Sequence, residues 1–309
     1  MIYRFIDDQG TFSFKNPQRY NLYFPLTDAS GRLLSSIGPN LAGDIKRDNE
    51  HFLTLPASIE DLRSSPLCRR EFFIKAGGKV IRLSRPYQDN LEAGFIYHKV
   101  HKKVTGLDIE ILNFIPHDLP VEVMRVKIRN ISSKEIKIIP TSFIPLYGRA
   151  EKNLRDHRHV SSLLNRVKLD KFGISLVPSM IFDEKGHKLN QAIYFVLGYE
   201  GKTLAPQGQF PTLDYFFGAG DIFSPDAIFK DVPPASSKKE EFDGKEVCAA
   251  FRFKEKKLAS GGEAEYILLL GIEEKEGRIR EYFAKLSSPR KIEQKLEGTK
   301  KYWQKYLSN

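Results

Sequence analysis

The sequence predicts a mainly β protein: a large antiparallel sandwich of two packed sheets, with helices at its C-terminal end. Three observations carry this. Short runs rich in Val, Ile, Phe and Tyr recur along the chain, and polar or Gly/Pro-containing turns punctuate them. No helix-length apolar periodicity separates these runs, so parallel strand–helix–strand units are not expected. The chain has 309 residues, with 22 Phe, 13 Tyr and one Trp, enough to bury roughly three-quarters of its unfolded surface.

In chain order, the strand-like runs begin with residues 70–75, 79–83, 94–100 and 107–114. Residues 121–123 and 126–128, and then 136–138, alternate apolar and polar positions around the polar Asn130-Ile131-Ser132-Ser133, which predicts a hairpin. Asn130-Ile131-Ser132 also matches a glycosylation acceptor, but with no secretory signal ahead of it the turn reading is preferred. Runs at 160–169, 173–177, 191–198, 247–253 and 263–273 complete the set. Two stretches resist strand assignment. Residues 40–65 read as a charged loop, and residues 200–243 hold Pro206, Pro211, Pro225, Pro233 and Pro234.

The ending changes character. Residues 278–286 and 288–307 read as helices, with Ser288 as a cap and Pro289 in the first helical position. Ile292, Leu296, Trp303 and Leu307 fall on one face, and Tyr302 and Tyr306 widen it. Such a stripe needs a cover, either the sandwich itself or a docked domain or partner. The expected organisation is a sandwich over 1–273 and a helical linker over 274–309.

Charge and composition narrow the function. The net charge is +10, but ten Lys/Arg and four Glu between Lys275 and Asn309 supply +6 of it, leaving +4 for the rest. The excess reads as a solvated helix face, and nucleic acid is not the expected partner. Cys68 and Cys248 form no Cys-x-x-Cys pair, so neither a structural zinc nor a thioredoxin-type motif is implied. The longest apolar run, 266–272, is about a third of a membrane span. A cytoplasmic protein with no membrane partner and no cofactor is the expectation.

Two segments could carry chemistry. The polar cluster Arg149, Glu151, Lys152, Asn153, Arg155, Asp156, His157, Arg158, His159 is the densest. In a strand, Arg155, His157 and His159 would share one side and could meet a phosphate, a sugar ring or an interface. A metal would want a third ligand, which that side lacks. A charged surface strand or an internal ion-pair network is the more ordinary explanation of the same residues. The second segment, Phe210 to Asp221, sets Asp214 beside Tyr215 and Phe216. Aromatic faces next to a carboxylate suit sugars, although a loop that plugs its rings into the core would look alike. Gly218-Ala219-Gly220 is no dinucleotide fingerprint, and no paired carboxylates, serine elbow or phosphate loop is identifiable.

Asn16-Pro17-Gln18-Arg19-Tyr20-Asn21-Leu22-Tyr23-Phe24-Pro25-Leu26 and Ser35-Ser36-Ile37-Gly38-Pro39-Asn40-Leu41-Ala42-Gly43-Asp44 resemble the N-terminal region of the cellobiose phosphorylase family, the family 94 glycoside phosphorylases of oligoglucan and cellodextrin type. Phe114-Ile115-Pro116-His117 with residues 120–130, residues 143–164 and residues 213–225 are similar to further parts of it. The resemblance implies a galactose mutarotase-like super-sandwich, a helical linker and then an (α/α)6 barrel. In that barrel a catalytic Asp acts as general acid while phosphate attacks the anomeric carbon with inversion. The chain stops in what looks like the linker, so no catalytic residue carries over. The implied role is a non-catalytic N-terminal domain or subunit for scaffolding, dimerisation and shaping of the substrate entrance, with an oligosaccharide, a catalytic barrel and a second copy as partners. The alternatives are a sugar epimerase using His157 or His159 as acid, and a carbohydrate-binding module using Tyr215.

Overall fold

The computed structural model describes residues 3–20, 22–58, 60–61, 66–154, 158–183, 186–235 and 242–308. The chain opens with β1 (Tyr3–Phe5) and β2 (Phe12–Lys15), then a small meander of β3 (Phe24–Thr27), β4 (Leu34–Ile37), β5 (Ile45–Asp48) and β6 (His51–Phe52). Next come β7 (Glu71–Ala76), β8 (Lys79–Arg82), β9 (Gln88–Gly94), β10 (Tyr97–Val104), β11 (Leu107–Phe114), β12 (Val121–Asn130) and β13 (Ile136–Leu146). A short helix α1 (Arg158–Ser162) precedes β14 (Val167–Leu169), β15 (Gly173–Leu176), β16 (Met180–Asp183), β17 (Gly186–Leu189), β18 (Ile193–Glu200) and β19 (Gly208–Thr212). Helices α2 (Leu213–Phe217) and α3 (Asp226–Phe229) lead to β20 (Val247–Arg252), β21 (Lys256–Leu258) and β22 (Glu263–Glu273). The final helices are α4 (Glu276–Leu286) and α5 (Pro289–Leu307).

Every ladder among these strands is antiparallel. One sheet has ten strands in the order β1-β2-β9-β10-β11-β12-β22-β18-β15-β14. Facing it are a six-stranded sheet, β19-β20-β13-β7-β8 with β21 on β13, and the four-stranded meander. The main core lies between these layers. Alternate residues of the large sheet, Ile109, Ile111, Met124, Val126, Ile128, Tyr266, Leu268 and Leu270, point inward onto Phe72, Ile74, Ile144 and Phe251. The expected sandwich is therefore the observed one.

The large sheet is apolar on its other face as well, where Leu112, Phe114, Val123, Phe195, Leu197, Ile267 and Leu269 pack under α4 and α5. The six-stranded sheet is covered outside by the excursion at 213–229, through Leu213, Phe216, Ile222 and Ile228.

The expected hairpin at Asn130 is corrected. β12 pairs with β11 and β22, whereas β13 pairs with β7, β20 and β21, so the turn carries the chain from one sheet to the other. Asn130 builds this corner: its amide nitrogen donates to the carbonyls of Lys134 (2.7 Å) and Leu258 (2.8 Å), and its oxygen accepts from the Ser132 N–H. Local alternation announces two strands around a turn, but the partners come from strands distant in sequence. The run at 94–100 divides at a tight turn where Ile96 has φ 55°, the end of β9 lying on one side and β10 on the other. Residues 40–65 contain β5 and β6, and residues 200–243 contain β19, α2 and α3.

Charged residues are buried where the layers meet. Arg70 and Glu122 are both fully buried and ion-paired, Nη2 donating to Oε2 at 2.9 Å while Nε stands 2.8 Å from Oε1 without hydrogen-bond geometry. Glu122 also accepts from Ser35 Oγ (2.6 Å) and Asn113 Nδ2 (3.0 Å), while Arg70 Nη1 donates to the Gly43 carbonyl (3.2 Å). This network joins β4, β11 and β12 to the segment entering β7. Gly43 has φ 145°, and a Cβ there would stand 1.9 Å from the Ser36 carbonyl oxygen, so only glycine fits. Nearby, Lys102 Nζ donates to Asp89 (2.7 Å) and the Arg85 carbonyl (3.0 Å), and burial depresses its pKa against the pull of Asp89. His98 lies between, fully buried against the Phe24 ring at 5.4 Å. Burial, then Arg70 and Lys102, push its pKa down to about 3. None of the described helices is long and apolar enough to cross a membrane.

Arg70→Met leaves Glu122 without its counter-charge in the core, and urea unfolding should show a loss of about 3–5 kcal/mol; pairing it with Glu122→Leu should recover most of that loss. His98 sets an acid limit. Its folded pKa is depressed below the unfolded 6.5. Stability is therefore unaffected by this group above pH 6.5 and falls as pH drops toward 3, because only the unfolded chain takes the proton. The slope is about 1.4 kcal/mol per pH unit. Urea titrations at pH 7 and pH 5 should show the native chain losing more than His98→Phe.

Candidate functional site

The C-terminal helix pair is where local sequence turns into surface. The Ser288 hydroxyl accepts from the Lys291 N–H and Pro289 starts α5, as expected from the sequence. Ile292 is fully buried, Leu296 is 5% exposed, and both pack with Leu286 and Tyr282 of α4 on the large sheet. One turn on, Thr299 Oγ1 accepts from the His117 N–H (3.1 Å) and donates to the Lys295 carbonyl (2.8 Å). Lys295 pairs with Asp118, and Lys300 lies 4.7 Å over the Tyr97 ring. The His117 imidazole stacks on Tyr302 with centroids 4.7 Å apart.

Past this clamp the helix keeps one polar contact with the sandwich, Gln304 Nε2 donating to Gln9 Oε1, and its cover thins out. Trp303 is half-buried, with its indole N–H enclosed and lacking an acceptor. Tyr306 and Leu307 are 63% and 58% exposed. Tyr302, Trp303 and Tyr306 pack on one another, Tyr302 also being stacked on His117, with Trp303–Tyr306 centroids at 5.7 Å. The four residues expected to form one docking stripe thus divide. Ile292 and Leu296 are sheathed by their own chain, a correction that follows from the apolar outer face beneath them, whereas Leu307 faces outward and Trp303 is half-buried between.

The polar cluster is also corrected where it is described. Residues 158–162 form the helix α1, not a strand, and the following turns close on themselves through Leu163 N–H to Val160 O and Leu164 N–H to Ser161 O. Short-range bonds satisfy much of this backbone, with the Ser179 N–H adding a bond to the Leu164 carbonyl. Arg155 and His157 lie outside the described residues, as does the side chain of His159. Ahead of them, the Glu151–Leu154 turn and the β5–β6 hairpin wall an open cleft of about 790 Å³. Glu50 and Lys152 pair across it at 3.2 Å. One wall falls in the stretch read from sequence as a charged loop, the other in the polar cluster that begins at Arg149.

The acidic-aromatic segment is the helix α2. Phe216 is fully buried and stacks on Phe143 at 4.7 Å, so it offers no face to a sugar. Asp214 pairs with Lys245 (2.9 Å); burial raises its pKa, but hydrogen bonds with Thr212 and Lys245 outweigh this and hold it low. The Tyr215 hydroxyl donates to the Pro233 carbonyl (3.1 Å). The exposed rings here are Phe223 and Phe229, and Phe223 has the Arg82 guanidinium 4.7 Å from its centroid. Among the described residues no His, Cys, Asp and Glu gather in a group that could hold a metal.

Comparison with known proteins places this geometry. Residues 82–289 match the family described as glycosyl hydrolase 94, supersandwich domain. No curated protein sequence matches the chain. Among solved structures, a bacterial glucoamylase complexed with acarbose superposes with TM-score 0.57 at 9% identity, over 93% of this chain and 37% of its own. A human-microbiome protein provisionally named kojibiose phosphorylase gives 0.49 at 7% identity, over 97% of this chain and 38% of its own. An Escherichia coli K12 protein provisionally named aldose 1-epimerase gives 0.45 at 9% identity, over 82% of this chain and all of its own. The likeness to the glucoamylase is one of fold, and this chain spans little more than a third of that enzyme.

The division of α5 has a direct consequence for stability. Ile292→Ala should cost about 2–4 kcal/mol, since it opens a hole under a sheathed helix, while Leu307→Ala should stay within about 0.5 kcal/mol. Chemical denaturation of the two variants distinguishes them.

Proposed function

Because the chain belongs to the glycosyl hydrolase 94 family, we propose that it is the non-catalytic supersandwich domain or subunit of an inverting glycoside phosphorylase acting on β-glucan oligosaccharides. In this reading it holds a separately folded catalytic barrel in place, contributes to dimerisation and shapes the substrate entrance. The observation that supports the reading is the last turn of α5. The helix is clamped to the sandwich as far as Tyr302, and its last turn then presents Tyr306 and Leu307 to solvent beside the half-buried Trp303, with Lys301 and Lys305 next to them. A clustered aromatic tip on a rigidly anchored helix suits a docking contact, and a central Trp is the residue type that such contacts rely on. The share of the glucoamylase that this chain spans, 37%, agrees with a role as one part of a larger enzyme.

The test is phosphorolysis of cellotetraose, read as glucose 1-phosphate. The chain alone should yield none, and adding a barrel unit of the family should give both a complex on size exclusion and activity. Trp303→Ala combined with Leu307→Asp should weaken that complex by about tenfold or more. Turnover by the chain alone, or a complex indifferent to both substitutions, would contradict the reading.

A further inference from the structure

We propose that the free edge of β1 is the seam at which two copies of this chain pair, an inference that rests on the dimerising role proposed above and specifies it. β1 ends the ten-stranded sheet and pairs only with β2. The Ile6 N–H donates to the Thr11 carbonyl at 2.9 Å, so alternation along the ladder turns the N–H and C=O of Tyr3 and Phe5 away from β2. No described strand takes them up. Residues 3–10 are exposed throughout, Phe5 at 58% and Ile6 at 48%. The opposite edge of the same sheet is closed. There the Val167 N–H of β14 donates to Asp243 (2.7 Å), the Asp170 carbonyl accepts from Gln209 Nε2 (2.7 Å), and Arg166 and Lys168 add charge. Covered and charged edges resist pairing, whereas an open apolar edge invites it.

The occupant follows from the edge itself, which is complementary to a second copy. Centred on Ile6, an antiparallel copy exchanges main-chain hydrogen bonds between Phe5 of one chain and Asp7 of the other. The same register sets Ile6 against Ile6 and Arg4 across from Asp8, an opposite-charge pair made twice; a parallel copy would set Arg4 against Arg4. Arg4 and Asp8 are exposed and form no ion pair among the described residues. The pairing uses residues 4–8, all of them described. The edge is also held in shape. Asp7 Oδ1 accepts from the Gln9 N–H (2.9 Å) and the Thr11 N–H (3.0 Å), and the Tyr3 ring rests on Phe14 with centroids 5.8 Å apart, so little ordering is left for association to impose. With β14 closed, the large sheet has one open edge per copy, and a two-fold pair ends the assembly at a dimer rather than a filament. An edge this short makes a weak, concentration-dependent dimer.

Sedimentation velocity of the whole chain over a series of concentrations tests this. The native chain should pass reversibly from monomer to dimer. Arg4→Asp and Asp8→Arg should each weaken the dimer by about tenfold, with melting temperatures unchanged to show that both variants are folded. Mixed in equal amounts, the two should dimerise as tightly as the native chain, because one then carries only acids and the other only bases at these two positions. Phe5→Pro removes an outward N–H without touching the β1–β2 bonds, and it should abolish the dimer. A chain that stays monomeric at every concentration, a dimer that all three variants form as the native chain does, or a mixture no tighter than either variant alone would overturn the inference. So would a monomer whose β1 amides gain protection from hydrogen exchange only when a barrel unit of the family is added. Loss of this pairing leaves the docking of a barrel through Trp303 and Leu307 intact, and a failure of glucose 1-phosphate production leaves the pairing intact, so the two readings fail separately.

Discussion

The ten-stranded sheet is apolar on both faces, and the rest of the molecule follows from having to cover both. Its inner face takes the six-stranded sheet and the small meander; its outer face takes α4 and α5. The helices are thus part of the core rather than a tail. A single-faced sheet could have left them free, but Phe114, Phe195, Ile267 and Leu269 exposed to water would not be tolerated. The same constraint explains why α5 is sheathed only part of the way. The covering is complete at Leu296 and Thr299, the His117–Tyr302 stack closes the contact, and the remaining turn lies beyond the sheet's apolar surface.

Within that frame the buried charges fix which layer meets which. Arg70 and Glu122 neutralise one another and borrow Ser35, Asn113 and the Gly43 carbonyl, so three sheets share one set of polar contacts. Such a pair is weak evidence for net stability, since apolar residues could fill the same space. Its value lies in geometry: any slip of β12 by one residue would turn Glu122 to the helix side and leave Arg70 alone. The Glu71–Arg82 pair repeats the arrangement at the edge of the six-stranded sheet, with Ser84 N–H and Phe72 N–H completing the carboxylate. Both networks bury full charges where a sequence reading expects solvent.

That difference explains what the sequence disclosed and what it hid. Residues 107–114, which begin by alternating, and 263–273, a nearly continuous apolar run, have the observed bounds of β11 and β22. β10 is harder to read because its inward positions are His98, Val100 and Lys102, so a buried stripe looks polar. The turn at Asn130 was legible as a turn but not as a change of sheet, because pairing partners lie far away in sequence. In the candidate sites, alternation misled at 158–162, where the backbone closes on itself as a helix. Burial decided Phe216, which fills the outer core of the six-stranded sheet. The helical face of α5 was legible from its period, but not where its cover would stop, since that depends on the extent of the sheet below.

The central claim is that α5 belongs to the sandwich up to Tyr302 and is offered outward beyond it. Hydrogen exchange measures this most directly, residue by residue, in the chain alone and with a barrel unit of the family added. Amides at 292–299 should be protected in both states, and those at 303–308 should exchange quickly alone and slow when the barrel binds. Protection of 303–308 in the isolated monomer, or fast exchange at 292–299, would contradict the account.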